Sequence, residues 1–577
     1  MGSSDDPLIP GPPSGSPGPE TSCSWSLPLL AALFVGSGCS ALIYEIVWFQ
    51  SLQLVIGSSA VSLGVLLGTF MGGMCLGSLL FPRFVSTRRH PLRVYALIEL
   101  AIGAAGIALH FGLPLVNRLY ATHIGHGLTS ILARAAVCAT CLLVPTMLMG
   151  ATLPAIARRV QATRRGVSWL GFFYGGNTAG AVLGCLLAGF YLLRVYDMAV
   201  ATYVAAGLNL AVASIALLLA RVTTYEPPVC CATEDSVPTA FVEGHPPLPE
   251  TRLVCLVIGF SGFCALGAEV IWTHVLSLLL GGTVYTFSII LAAFLAGLGI
   301  GSGIGSVIAR TGHRPRLALG GCQLLLTPAI AWAAYALAES LPYWPIDPSL
   351  ARSPWFNFQI DLVRCIWVVL PGAILWGASF PLALASTTSP SRDPGRIVGK
   401  VYAANTVGAI VGSLAFSTIL IPTIGTLGSE RVMIAVAATA AILALTPWNR
   451  QRKVASTEPG KLLRPSRLST VLPSLAISVV IAALISSLAT LLIWTAPPIP
   501  PALVAYGRYL PTRTRIADVL YVGEGRNSSI AVTELDGTIR SFHVCGKVEA
   551  STEPADMRLQ RMLGHISTLL HPRPRTV

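Results

Sequence analysis

Apolar stretches of about 20 residues recur along this chain from Leu27 to the region of Ile493, and there are roughly thirteen of them. A hydrocarbon core about 30 Å thick takes about 20 residues of helix to cross. Inside lipid every backbone polar group must find its partner within the protein, which leaves helices or closed barrels. Stretches of this length point to a bundle of membrane-spanning helices. Composition agrees: 53% of residues are hydrophobic and 11% charged, whereas soluble domains carry about 25% charged residues. Residues 1–26 are rich in Pro, Gly and Ser, with Asp5, Asp6 and Glu20 but no Lys or Arg. That lacks the basic start of a cleavable signal peptide, and it reads as a disordered tail before a true first span. The net charge of +13 does not indicate nucleic acid. The Arg and Lys residues cluster in short loops between spans, as the positive-inside bias requires.

The apolar stretches are not independent of one another. "ALIYEIVW" at 41–48 returns as "ALGAEVIW" at 265–272, an offset of 269 − 45 = 224. "LLGTFMGGMCLGSLL" (66–80) is echoed by "LAAFLAGLGIGSGIG" (291–305), and "GATLP" (150–154) by "GASFP" (377–381). "YGGNTAGAVLG" (174–184) returns as "YAANTVGAIVG" (402–412), at 405 − 177 = 228. Near-constant offsets over so long a stretch mean duplication. Each copy holds about six spans, and an even number gives both copies the same orientation, a parallel repeat as in the two halves of major-facilitator transporters. The expected fold is an all-α polytopic membrane protein with two parallel six-helix repeats, one extra transmembrane helix and a small C-terminal β-rich region.

The basic loops "RFVSTRRHPLR", "ARRVQATRRG", "ARTGHRPR", "SPSRDPGRIVGK" and "NRQRKVASTEPGKLLRPSR" follow spans two, four, eight, ten and twelve. All fall on one side, which the bias makes cytoplasmic, and a thirteenth span then leads to a tail on the other side. In that tail "ADVLYV", "SSIAVTEL" and "TIRSFHVC" read as strands, with Asp536-Gly537 as a hairpin turn. From about Ala555 to Leu570 the period is helical.

Three sets of residues stand out within the spans. Gly64, Gly68 and Gly72 are spaced by four, as are Gly297, Gly301 and Gly305, and Gly176, Gly180 and Gly184. That spacing gives one smooth helix face for close packing or for a helix that flexes. Glu45 and Glu269 are more costly. A carboxylate at bilayer depth costs at least about 2.5–3.5 kcal/mol on insertion scales, so it faces a partner or a wet cavity. Each has a tryptophan three residues on, Trp48 and Trp272, on the same face, and His274 follows the second copy where the first has Gln50. The pair can be read as carboxylates that hold a cation or proton, or as carboxylates bonded to broken backbone after Gly57 and Gly281. Asn177 and Asn405, each preceded by a tyrosine three residues earlier (Tyr174, Tyr402), form a second repeated polar pair. Amides in lipid bridge helices or touch ligand. Glu99 has no acidic counterpart, since Gln323 occupies about the same place. The cysteines in the spans read as small hydrophobes, and no residue set has metal-ligand spacing.

"GCSALIYEIVW", "GFCALGAEVIW", the glycine ladders and "YAANTVGAIVG" resemble the membrane part of fused major-facilitator/spermidine-synthase-like proteins of bacteria. The tail from "VLYVGEGRNSSIAV" to "HPRPRTV" looks like the N-terminal strand region of spermidine synthases (polyamine aminopropyltransferases) and the helix that leads to their Rossmann-like domain. In that family a Gly-rich, acid-containing loop follows and cradles decarboxylated S-adenosylmethionine, and a later Asp deprotonates the attacking amine. This chain stops at Arg575-Thr576-Val577, where the strand before that loop is expected. The resemblance therefore implies no catalytic residue, no cofactor and no metal within this chain, with decarboxylated S-adenosylmethionine entering only with a Rossmann-like domain. His565 matches the family's helix histidine, the expected tyrosine is Leu559, and the pocket glutamine falls near Glu549. Glu549 and His565 are the remnants of a polyamine pocket.

The expected division is a tail at 1–26, a first repeat at 27–220, a linker at 221–251, a second repeat at 252–447, a basic loop at 448–469, an extra span at 470–495 and a synthase-like region at 496–577. The expected function is a spermidine-synthase-like protein of the bacterial inner membrane that is not an aminopropyltransferase by itself. The alternatives are a secondary transporter of a small cationic or amine solute, or an anchor for a separate synthase domain. The partners implied are the lipid bilayer, a small amine or cation and that separate domain, and not nucleic acid.

Overall fold

The computed structural model describes residues 26–56, 59–85, 89–123, 128–160, 164–223, 249–311, 314–344, 353–387, 394–446, 468–513, 515–525 and 528–573. The tail ahead of residue 26, most of the linker and the basic loop lie outside the described residues. The first repeat comprises α1 (Ser26–Ile56), α2 (Ser59–Phe84), α3 (Pro91–His123), α4 (Leu128–Val160), α5 (Arg164–Leu187) and α6 (Met198–Val222). The second comprises α7 (Pro249–Leu280), α8 (Val284–Thr311), α9 (Pro315–Tyr335), α10 (Pro354–Thr387), α11 (Pro394–Ala415) and α12 (Ile421–Leu445). The extra helix α13 (Leu468–Thr495) follows, then the short α14 (Pro501–Tyr506), four strands and α15 (Pro554–Leu570).

Twelve helices among the described residues are long and apolar enough to cross a membrane. One of them, Lys400–Leu445, runs for 46 residues, about 69 Å at 1.5 Å per residue and more than twice a bilayer core. It breaks at Gly425, where φ is 71° and ψ 178°, a conformation that favours glycine. It therefore makes two crossings, and the total is the thirteen expected from the sequence.

The two repeats fold alike. In the first, α1 packs on α5, α2 on α4 and α3 on α6; in the second, α7 packs on α11, α8 on α10 and α9 on α12. The glycine ladders make these contacts. A Cβ on Gly77 would lie 2.7 Å from the Met147 carbonyl carbon, and one on its counterpart Gly301 2.7 Å from that of Ile374. Gly180 and Gly408 meet the backbones of Val35 and Gly259 in the same way, as Gly184 and Gly412 meet those of Cys39 and Phe263. Backbone approach this close is what four-residue glycine spacing permits. Even irregularities repeat: α5 continues through a π-turn at Ala188–Leu192 and α11 through one at Phe416–Leu420, again 416 − 188 = 228 apart. The halves meet where α2 packs on α11 and α5 on α8.

Helices α1 and α7 lie at the centre, with 67% and 72% of their spanning windows buried, against 11% for α13. The extra span thus lies at the periphery, tied to α12 by Arg431 Nε donating to the Ile493 carbonyl at 3.1 Å. Beyond it, β1 (Asp518–Glu524), β2 (Ser529–Leu535), β3 (Ile539–Val544) and β4 (Lys547–Ser551) form one antiparallel meander in the order β1-β2-β3-β4. Asp536 and Gly537 both have positive φ, 50° and 66°, in the tight three-residue turn between β2 and β3 that the Thr538 amide closes onto the Leu535 carbonyl at 3.1 Å. A second tight turn, Cys545 (φ 49°) and Gly546 (φ 83°), leads into β4. The sequence reading lacked that fourth strand, because five residues containing Lys547 and Glu549 carry little apolar alternation.

Candidate functional site

Glu45 sits on α1 and Glu269 on α7, the two central helices, and each retains only 4% of its exposed surface. Duplication places them at equivalent points of two like-oriented repeats, so folding brings them toward each other across the junction of the halves. They come within electrostatic reach of one another. Cys185 of α5, fully buried, lies within reach of both. Among the described residues Glu269 Oε1 has no hydrogen-bond partner, and no cation forms a salt bridge with either acid. Two like charges in an apolar interior raise the local demand for a cation or a proton well above that of one.

The aromatic residues next to the two acids in sequence pack onto neighbouring helices. Tyr44 and Trp48 stack at 5.3 Å with 17° between planes, and Tyr44 seats its ring against Gly106 of α3. Trp272 lies 5.6 Å from Trp376 of α10, in space that Gly372 leaves open. Among the described residues, the Tyr44 hydroxyl and the Trp272 and Trp376 indole nitrogens are buried without hydrogen-bond partners.

The other sequence candidates fall elsewhere. Asn177 packs its backbone and side chain against Gly38 of α1, and Asn405 does the same at Gly262 of α7. The two amides therefore occupy equivalent helix-crossing points. The side chain of Tyr174 lies outside the described residues; Tyr402 sits edge-on to Phe380 at 6.1 Å. His274 lies toward the end of α7, with Nε2 3.0 Å from Ser529 Oγ of β2. Glu549 on β4 and His565 on α15 are both exposed.

Glu99 and Gln323 do share one position. Glu99 is fully buried and accepts from Ser37 Oγ and from Asn209 Nδ2, each at 2.6 Å. Gln323 Nε2 donates to Ser261 Oγ at 3.2 Å and to Ser379 Oγ at 2.9 Å. Ser37 and Ser261 are repeat counterparts, since 261 − 37 = 224. Two further buried charges were not singled out in the sequence. Glu430 of α12 is 3% exposed and within electrostatic reach of Glu524 on β1. Arg364 on α10 pairs with Asp361 at 3.6 Å. An acid next to Arg431 inside a long apolar helix is the signal that marks Glu430; nothing in the sequence places Glu524 near it.

No protein-family model matches the chain. Polyamine aminopropyltransferase 1 of Streptomyces coelicolor is 26% identical over 192 residues, which make up 33% of this chain and 33% of that protein. The chain thus matches about a third of the length of that curated relative. Among solved structures, a bacterial homolog of the human lysosomal transporter Spinster aligns with 14% identity and a TM-score of 0.44, over 84% of this chain and all of the other. The E. coli fucose:proton symporter and a bacterial metal transporter align with the same identity and TM-score, over 73% and 75% of this chain and 98% of each neighbour.

Proposed function

We propose that this polytopic membrane protein is a secondary transporter of a small cationic solute of the amine class in a bacterial inner membrane, with Glu45 and Glu269 as its charge-recognising pair. The observation that carries this reading is the approach of two buried carboxylates from the two halves, neither of them salt-bridged among the described residues. A fixed structural acid is normally satisfied by neighbouring donors, as Glu99 is by Ser37 and Asn209. Glu269 Oε1 instead has acceptor capacity left over among the described residues. A solute with one or two ammonium groups supplies both the charge and the donors.

The test is uptake or binding of diamines and polyamines by the protein in proteoliposomes, alongside Glu45→Gln and Glu269→Gln. The expected result is a signal in the parent that either substitution abolishes. No solute-dependent signal, or no effect of either change, refutes the proposal. The match to an aminopropyltransferase favours a second reading, in which the membrane domain anchors a separate synthase domain that brings decarboxylated S-adenosylmethionine. Aminopropylated product formed only once such a domain is added to the vesicles would favour that reading; product from this chain alone would count against the expectation that it transfers no aminopropyl group.

A further inference from the structure

The repeat offset of 228 that relates Asn177 to Asn405 also relates Asp197 to Gly425. In the first half Asp197 is the N-cap of α6, and its carboxylate accepts from the Val200 amide at 2.8 Å. In the second half the chain breaks at the same point, but glycine has no side chain to cap with. The cap arrives from 98 residues away. Glu524, the last residue of β1, accepts through Oε2 from the Thr426 amide at 2.7 Å and from Thr426 Oγ1 at 2.6 Å. A carboxylate at a helix start satisfies amides that otherwise lack partners and sits favourably in the helix dipole.

Further contacts tie the C-terminal region to α7. Ser529 of β2 bonds His274 at the end of α7. Gly507 packs against the Leu278 carbonyl of α7 so closely that a Cβ would lie 2.8 Å from it, and the Gly546 amide closes the turn above by donating to the Val504 carbonyl at 3.1 Å. Among the described residues, the side-chain hydrogen bonds from the sheet to membrane helices end on α7 and α12, both in the second half.

We infer that Glu524 does for α12 what Asp197 does for α6, so that the C-terminal sheet is an external part of the second half and moves with it as one body. This inference does not depend on what the central carboxylates bind. A domain hung only from α13 would be free to reorient; one that completes a buried helix start is not.

Amide-resolved hydrogen exchange on the full chain in nanodiscs tests the inference. Glu524→Ala is expected to speed exchange at 426–429 by about tenfold, the scale of a lost N-cap, while Val200 stays as in the parent. Glu524→Gln keeps an acceptor oxygen and is expected to retain most of the protection. Unchanged exchange at 426–429 in Glu524→Ala overturns the inference. If that variant fails to fold, the parent decides: nitroxides at Glu549 and at Thr439 of α12 should give one narrow distance distribution, and a broad one overturns the inference.

Discussion

Replacing Gly301 by alanine adds one methyl group where α8 crosses α10. That methyl would lie 2.7 Å from the Ile374 carbonyl carbon and 2.9 Å from its Cα. Ordinary carbon contacts begin near 3.5 Å and the Ile374 carbonyl oxygen lies nearer still, so the helices must part locally by more than about 0.8 Å. The obstacle is backbone, which cannot swing aside as a side chain can. Overpacking of this kind costs about 1–3 kcal/mol. Gly303, two residues on in the same helix, has nothing within 4 Å of its would-be Cβ. There the same change only gains helix propensity, up to about 1 kcal/mol. The two variants should differ by roughly 1–4 kcal/mol, with Gly301→Ala less stable than the parent and Gly303→Ala at least as stable. Thermal unfolding in detergent, followed by tryptophan fluorescence, reads the order. Equal midpoints, or Gly303→Ala as the weaker variant, would refute the claim that the ladder is a packing face.

Two further outcomes follow from buried polar groups. Glu99→Gln should fold, because Gln323 fills the equivalent position beside Ser261; Glu99→Leu strands Ser37 and Asn209 and should cost about 2–6 kcal/mol at 1–3 per orphaned group, measured by the same unfolding assay. His543 in the sheet is 1% exposed, bonds Thr533 Oγ1 at 2.8 Å and faces the Tyr506 ring. Burial, with a smaller contribution from Arg513, lowers its pKa below the ordinary value. The unfolded segment therefore takes up a proton first, and sheet stability should fall as pH drops below about 6.5. Greater protection of β2 and β3 amides at low pH, relative to their intrinsic exchange rates, or the same pH dependence in His543→Gln, would contradict this.

Much of the fold could be read from repetition. Once "ALIYEIVW" and "ALGAEVIW" are paired, the correspondence of α1 with α7 and of α5 with α11 follows from the shared register, though which helix packs on which does not. The equivalence of Glu99 and Gln323 follows from the same register. The tail's first three strands and its Asp536-Gly537 turn follow from local propensity. What could not be read depends on elements distant in sequence. Nothing near Glu524 shows that it caps a helix 98 residues earlier. Nothing near Glu99 names Asn209 as its partner. The approach of Glu45 to Glu269 requires knowing how two whole halves are apposed, which no single span encodes.

The junction between the halves carries one more consequence. Gly64 of α2 faces Ser417 of α11, and Gly189 of α5 faces Ser288 of α8. Gly64 and Ser288 are repeat counterparts, 288 − 64 = 224, and so are Gly189 and Ser417, 417 − 189 = 228. Both glycines therefore belong to the first half and both serines to the second. Two first halves brought together would leave hollows at both points, and two second halves would collide there. Each half has become a mould for the other and a misfit for itself, so the fused pair is now the smallest unit that closes.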